Sequence, residues 1–393
     1  MLYRWIIGGG LLLALLLGGL YLIDRGKAAP PVDGSLTVAE AMANADTVGY
    51  DRAIRPRDFV FPADHGPHPG FKTEWWYYTG NLQGRDGRPF GFQFTLFRTA
   101  LVPPDRWTDR DSPWATHQLY MGHFAVSDIA GRRFHAAERF SRGDARLAGA
   151  QAEPFRVWLE DWVTDAPDHA PGDPFPPFRI VAGDGPVHLE LMVTHGKPPV
   201  LQGDRGLSQK GDGTGNASYY YSLTRLAASG RMMAWGDTVP VTGSAWMDRE
   251  WSTSALGENQ VGWDWFALQL ADGRELMYYQ LRRDDGSPDP LSKGAWVETD
   301  ASYRRIGSDE VDLTVTDYWD SPRGGRYPAG WELALPGENL RLTVMPRLAD
   351  QELPVSIRYW EGSVAVSGTS RGEPVSGVGY VELTGYADRP LPE

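Results

Sequence analysis

Acidic side chains that sit among indoles and phenols can do proton chemistry on apolar molecules, and this sequence has several. Asp248 and Glu250 lie two residues apart in Ala245-Trp246-Met247-Asp248-Arg249-Glu250-Trp251-Ser252. If that segment is extended, both face one side with Trp246, while Arg249 and Trp251 face the other. Two close carboxyls push one of the pair toward its neutral form, and apolar surroundings push further. Asp264 lies between Trp263 and Trp265, and alternation sets it on the face of Phe266. Glu74 shares a face with Trp76 and Tyr78. A carboxylic acid kept protonated in this way can give its proton to an apolar molecule, and aromatic faces stabilise a cation so formed, by ~2 kcal/mol or more each when desolvated. On this reading Asp248 is the proton donor, with Glu250 or Asp264 positioning water or holding Arg249. Glu74, Trp76, Tyr78, Trp246, Arg249, Trp263, Trp265 and Phe266 would line the ligand site. The competing reading is structural. Asp-Arg-Glu can be a buried salt-bridge cluster closing a junction between two barrels, and the aromatics can be plain core.

The elements that must position these residues are short strands. From Phe59 onward the pattern alternates with period two between turn residues. Thr73–Leu82 and Phe90–Arg98 are two such runs, joined through the Asp-Gly turn signal of Gly84-Arg85-Asp86-Gly87. No helical stripe is convincing after position 50. Many strands at regular spacing predict a sandwich or barrel. There is also an internal echo. Glu74-Trp75-Trp76-Tyr77 leads to Asp86-Gly87-Arg88 and a strand ending at Arg98; Asp264-Trp265-Phe266 leads to Asp272-Gly273-Arg274 and a strand ending at Arg282. The echo predicts two β domains, 59–245 and 246–393, with the change somewhere in 240–260. The long stretch Thr194–Asn216 has no apolar period and reads either as a lid or as a surface connection.

Composition narrows the function classes. The chain has 393 residues and a net charge of −13, which repels nucleic acid and anionic lipid. It has no cysteine, so thiolate nucleophiles and disulfides are excluded. The 16 Trp, 17 Tyr and 14 Phe suit a barrel holding a large apolar guest. Residues 6–23 are uncharged, with Arg4 before and Lys27 after, and 1–28 reads as either a cleaved export signal or an uncleaved inner-membrane anchor. A linker over 29–58 with a short helix at 35–45 follows, and the bulk of the chain is expected in the periplasm or outside the cell. Rival motifs are weak. Gly368-Thr369-Ser370-Arg371-Gly372 fits an esterase elbow in letters, but no helix is expected after it. The eight histidines include no zinc motif; His65 and His68 flank a loop, and His117 and His123 share a face. No metal and no organic cofactor is expected.

Three motif groups together resemble a known family. His68-Pro69-Gly70 precedes Thr73-Glu74-Trp75-Trp76-Tyr77-Tyr78-Thr79-Gly80-Asn81. Gly203-Asp204-Arg205-Gly206-Leu207-Ser208 precedes Gly215-Asn216-Ala217-Ser218-Tyr219-Tyr220-Tyr221-Ser222. The Trp246–Ser252 run precedes Gly262-Trp263-Asp264-Trp265-Phe266, with Tyr359-Trp360-Glu361-Gly362 and Gly379–Tyr386 further on. From about position 65 to the end the chain resembles the AttH-like proteins, relatives of the carotenoid 1,2-hydratases. The resemblance implies two lipocalin-like antiparallel β-barrels in tandem. It also implies a long apolar ligand, an isoprenoid or lipid, and hydro-lyase chemistry adding water to a C=C bond. The position matching Arg249 tends to be His in the hydratases. The other reading it implies is a non-catalytic carrier or accessory protein of an ABC-type envelope transporter.

Overall fold

The computed structural model describes residues 47–387, apart from 109–111, 113, 114, 168, 169, 171, 255 and 258. The apolar run 6–23, the short helix at 35–45 and the linker as far as residue 46 lie outside the described residues. No helix among the described residues is long and apolar enough to cross a membrane. The described residues are strands joined by turns and a few short 3-10 turns.

The first sheet contains β1 (Thr73–Gly84), β2 (Pro89–Ala100), β3 (Gln118–Asp128), β4 (Arg133–Arg142), β5 (Ala148–Gln151), β6 (Arg156–Leu159), β7 (Trp162–Asp165), β8 (Phe178–Asp184), β9 (Val187–His195), β10 (Val200–Leu201), β11 (Leu207–Gln209), β12 (Ala217–Ala234) and β13 (Asp237–Ser252). The second contains β14 (Gln260–Leu270), β15 (Glu275–Arg283), β16 (Lys293–Val297), β17 (Tyr303–Gly307), β18 (Asp312–Asp320), β19 (Arg326–Leu335), β20 (Leu340–Pro346), β21 (Glu352–Leu353), β22 (Tyr359–Ser370) and β23 (Glu373–Leu383). The first runs in the order β4-β3-β2-β1-β13-β12-β9-β8-β7-β6-β5 and curls until β6 packs on β2, β3 and β4. The second runs β17-β16-β15-β14-β23-β22-β20-β19-β18. The protein is therefore all-β, with two curled antiparallel sheets in tandem, as the strand spacing predicts. The expected division at 245/246 falls inside β13, all of which belongs to the first sheet; the sheets change between Ser252 and Gln260.

Alternation along the strands explains both cores. In β1, Trp76 and Tyr78 point into the first sheet's interior, packed with Phe92, Phe94 and Trp162. In β14, Phe266 and Leu268 point into the second's, packed with Trp331, Leu342 and Trp360. The opposite faces of the same strands are also buried, because the two sheets lie against each other. Tyr77, Tyr220, Trp246, Trp265, Met277, Tyr279 and Tyr380 form a third cluster there. Burial on both faces is why Trp75–Tyr78 of β1 and Trp265–Leu268 of β14 are unbroken runs of apolar and aromatic residues.

The echoed hairpins share their turn chemistry. Asp86 Oδ1 accepts from the Arg88 amide at 3.0 Å, and Asp272 Oδ1 from the Arg274 amide at 3.1 Å. Gly87 and Gly273 take φ of +83° and +92°, a region glycine enters without steric cost. The likeness goes deeper than the turns. The acid opening each hairpin pairs with the arginine closing it: Glu74 with Arg98, and Asp264 Oδ1 with Arg282 Nε at 2.9 Å. The turn Gly368–Gly372 joins β22 to β23, so no strand-to-helix elbow forms around Ser370.

Residues 194–216 are neither a lid nor a plain surface loop. They add β10 and β11 to β12 and then bond to the second sheet. Lys197 Nζ donates to Gly273 O at 2.6 Å, Glu298 O at 2.7 Å and Glu275 Oε2 at 2.8 Å. Ser208 Oγ and Tyr279 Oη lie 2.8 Å apart. The segment is a strap holding the two sheets together.

Candidate functional site

The antiparallel registers set side chains of the first sheet in rows on its outer face. Residues opposite one another share a face. One row is Ser222, Asp248, Tyr77, Thr95, His123 and Glu138; the next is Tyr220, Glu250, Trp75, Phe97, Met121 and Phe140. Against these rows the second sheet sets Trp263 and Trp265 of β14, Tyr279 of β15, Tyr359 and Glu361 of β22 and Glu382 of β23. The strap supplies Lys210. Together they enclose a cavity of about 200 Å³ between the sheets. An aromatic-lined chamber inside a barrel is what the composition suggests, and the structure corrects that. Each sheet fills its interior with its own side chains, and the cavity lies where the outer faces meet.

Asp248 is buried at the cavity floor. Ser222 Oγ donates to its Oδ1 at 2.6 Å, Trp246 Nε1 to the same oxygen at 2.7 Å, and Tyr220 Oη to Oδ2. Burial pushes its pKa up to about 7, against these three donors and with help from Glu250. Glu250 faces the cavity and pairs with Lys210 Nζ at 3.1 Å. Lys210 lies 4.3 Å from the Tyr279 ring centroid. Burial alone would depress that ammonium's pKa, but Glu250, Tyr279 and Asp248 together outweigh it and the net direction is up.

Two further carboxyls come from the last hairpin. Glu361 is 1% exposed. Tyr77 Oη donates to its Oε1 at 2.5 Å, and its Oε2 has no well-formed partner among the described residues. Burial, then the neighbouring Glu382, holds its pKa well above the usual carboxylate range. Burial likewise pushes Glu382 up to about 8; Asp248 and Glu250 add to this, while the indole of Trp263 and Lys210 oppose it. Burial and the neighbouring Glu382 together favour the protonated form of Glu361. The Tyr77 and Tyr359 phenols are raised by burial and then by Glu361, and stay protonated. Tyr359 Oη is 2.8 Å from His123 Nδ1, and His123 Nε2 is 3.0 Å from Glu138 Oε1.

The other expected site residues fall elsewhere. Asp264 faces the second sheet's interior, where Arg282 and, at 3.0 Å, Tyr386 Oη hold it. It cannot position water beside Asp248, because strand parity sends it to the opposite face from Trp263 and Trp265. Phe266, Trp76 and Tyr78 are core for the same reason. Arg249 points into the first sheet's interior, its guanidinium 4.0 Å from the Trp76 ring, and Glu74 holds it rather than Glu250 or Asp264. Glu74, at the cavity margin, is wholly buried and divided among Arg98, Arg249 and His68. Desolvation alone would raise its carboxyl, but the two guanidiniums bring it well below the usual range. Of the expected set, Asp248, Glu250, Trp246, Trp263 and Trp265 belong to the face between the sheets. Sequence reasoning missed Glu361, Glu382, Tyr77, Tyr220 and Lys210, although Glu361 and Glu382 stand inside conspicuous aromatic motifs. His65 is a buried core histidine bonded to Tyr221 Oη at 2.6 Å, and His68 stacks on Trp251 at 3.7 Å. Among the described residues no group of three or more His, Asp or Glu is arranged to hold a metal.

The Asp248 shift has a measurable consequence. The folded state holds this proton more tightly than the unfolded chain, so its contribution is fully present below the ordinary value of 3.8. That contribution is lost as pH rises to about 7. Complete ionisation costs at most ~4 kcal/mol at 1.36 kcal/mol per pKa unit. Stability measured by urea denaturation should therefore fall across that window, and Asp248→Asn should flatten the fall. An unchanged slope in the variant would show that Asp248 titrates normally.

The sequence profile of the AttH-like family matches residues 52–386. The crystal structure of a protein assigned as an AttH from Nitrosomonas europaea aligns with a TM-score of 0.75 at 35% identity, over 86% of this chain and 99% of that one. Kievitone hydratase from Nectria haematococca aligns with a TM-score of 0.64 at 14% identity, over 86% of this chain and 96% of its own. That second likeness is one of fold. No curated protein matches the chain in sequence.

Proposed function

The chain belongs to the AttH-like family, and from that premise we propose that the cavity between its sheets binds an apolar alkene, an isoprenoid or lipid, and adds water across a C=C bond. The observation that carries this reading is Glu361: a buried carboxyl on the cavity wall, held well above the usual carboxylate range by burial and Glu382, whose Oε2 takes no well-formed hydrogen bond. In the proposed step the Oε2 proton goes to the less substituted alkene carbon and leaves a tertiary carbocation. Trp75, Trp263 and Trp265 offer the ring faces that stabilise such a cation. Water adds to the cation and gives its proton to Asp248, and a proton returns to Glu361. Asp248 suits the accepting role better than the donating one, since three donors already point at its oxygens. No metal or organic cofactor enters the scheme.

Incubating the protein with prenols in heavy-oxygen water tests the proposal. One labelled oxygen should enter the product. A prenol or lipid that is retained without any turnover would instead support the carrier reading and its ABC-type partner. Export to the periplasm, with or without a tether through residues 6–23, belongs to the same proposal; it rests on the sequence of that segment, and fractionation of the tagged full chain tests it.

A further inference from the structure

The row containing Glu250 does not stop at the cavity wall. It continues through Trp75, Phe97 and Met121, which line the cavity, to Phe140 on β4. Phe140 is 49% exposed, and Leu119, in the neighbouring row, is 36% exposed. Neighbouring strands lie ~4.8 Å apart, so the run from Trp75 to Phe140 spans roughly 14 Å. Glu250, paired with Lys210, opens this row, and Asp248 lies in the polar row beside it, which runs on to His123 and Glu138. A scattered exposed apolar side chain needs no explanation. This one ends an unbroken apolar row that starts beside the acids. A cavity of about 200 Å³ is also smaller than the roughly 300–1,000 Å³ usual for a drug-sized ligand, so a long guest must leave it somewhere.

We propose that Phe97, Met121 and Phe140 form an open track for the tail of an elongated apolar ligand whose reactive end lies at Glu361. The inference rests on the cavity being the ligand site. It adds that the ligand is longer than the cavity and leaves it across β2, β3 and β4. Apolar contact along the track grows with chain length and should stop contributing once the tail passes Phe140.

The test is a titration followed by intrinsic tryptophan fluorescence, with geraniol, farnesol and geranylgeraniol, using the full chain and Phe140→Asp. In the parent, affinity should rise about tenfold or more from the shortest to the longest prenol. In Phe140→Asp, geraniol should bind as in the parent, while most of the gain for the longest prenol disappears. Phe140→Leu, which keeps the apolar surface, should retain it. Because Phe140 is half exposed, neither variant should unfold the sheet, and unchanged geraniol binding verifies this. If the length gain survives in Phe140→Asp, or if the parent binds all three alike, the track is overturned and the cavity remains. If none of the three binds, both the track and the proposed ligand class are overturned.

Discussion

Glu361→Gln should lower turnover of an alkene hydrated by the parent at least about a hundredfold, the usual worth of a positioned general acid. Ligand affinity should change little, because glutamine keeps the shape and can still accept from Tyr77. Glutamine has no proton to give to carbon. Separating the two effects requires product formation and binding to be measured on the same protein. The variant should also be the more stable protein at alkaline pH. The parent's Glu361 holds its proton more tightly when folded than when unfolded, so stability falls as pH climbs through the range where the buried acid must ionise. A glutamine side chain there does not ionise and brings no such dependence. Turnover in the variant equal to the parent's would remove Glu361 from the chemistry and leave Glu382 or Asp248 as donor.

Glu74→Ala carries the largest expected effect on folding. Its carboxylate is the shared partner of Arg98 and Arg249, and all three side chains are inaccessible to solvent. Removing one partner from a buried ion cluster leaves uncompensated charge and typically costs about 3–5 kcal/mol. His68, which also bonds Glu74, would lose its anchor above Trp251. Asp264→Ala should cost less, because Arg282 is 12% exposed and can reach water. The measurement is the urea midpoint and slope of each variant against the parent. A loss below about 1 kcal/mol for Glu74→Ala would mean that the arginines find other partners, and the reading of the cluster as structural would fail.

That contrast shows how sharply the two kinds of acid separate. The acid opening each echoed hairpin, Glu74 or Asp264, is turned inward and neutralised by arginine. The acids on the outer faces, Asp248, Glu250, Glu361 and Glu382, share a cavity with one lysine and a set of rings. The pairing inside each sheet is duplicated; the asymmetry arises where the sheets meet.

Much of this was legible in the residues alone. Alternation predicted that Asp248, Glu250 and Trp246 share one face and Arg249 and Trp251 the other, and the registers agree. The Asp-Gly turns, the echoed hairpins and the all-β class follow from local sequence because turn chemistry and period two are properties of neighbouring residues. What local pattern cannot supply is which face meets a cavity. Where both faces of a strand are buried, parity sorts side chains into two sets without saying which set lines the site. Trp76, Tyr78, Asp264 and Phe266 are placed in the site on that ambiguity, whereas all four face the interior of their own sheet. Glu361 meets Tyr77 from 284 positions away, and only the packing of one curled sheet against the other brings them together. The tertiary structure decided that the cavity and its acids lie between the sheets, because dense side-chain packing leaves little room inside either one.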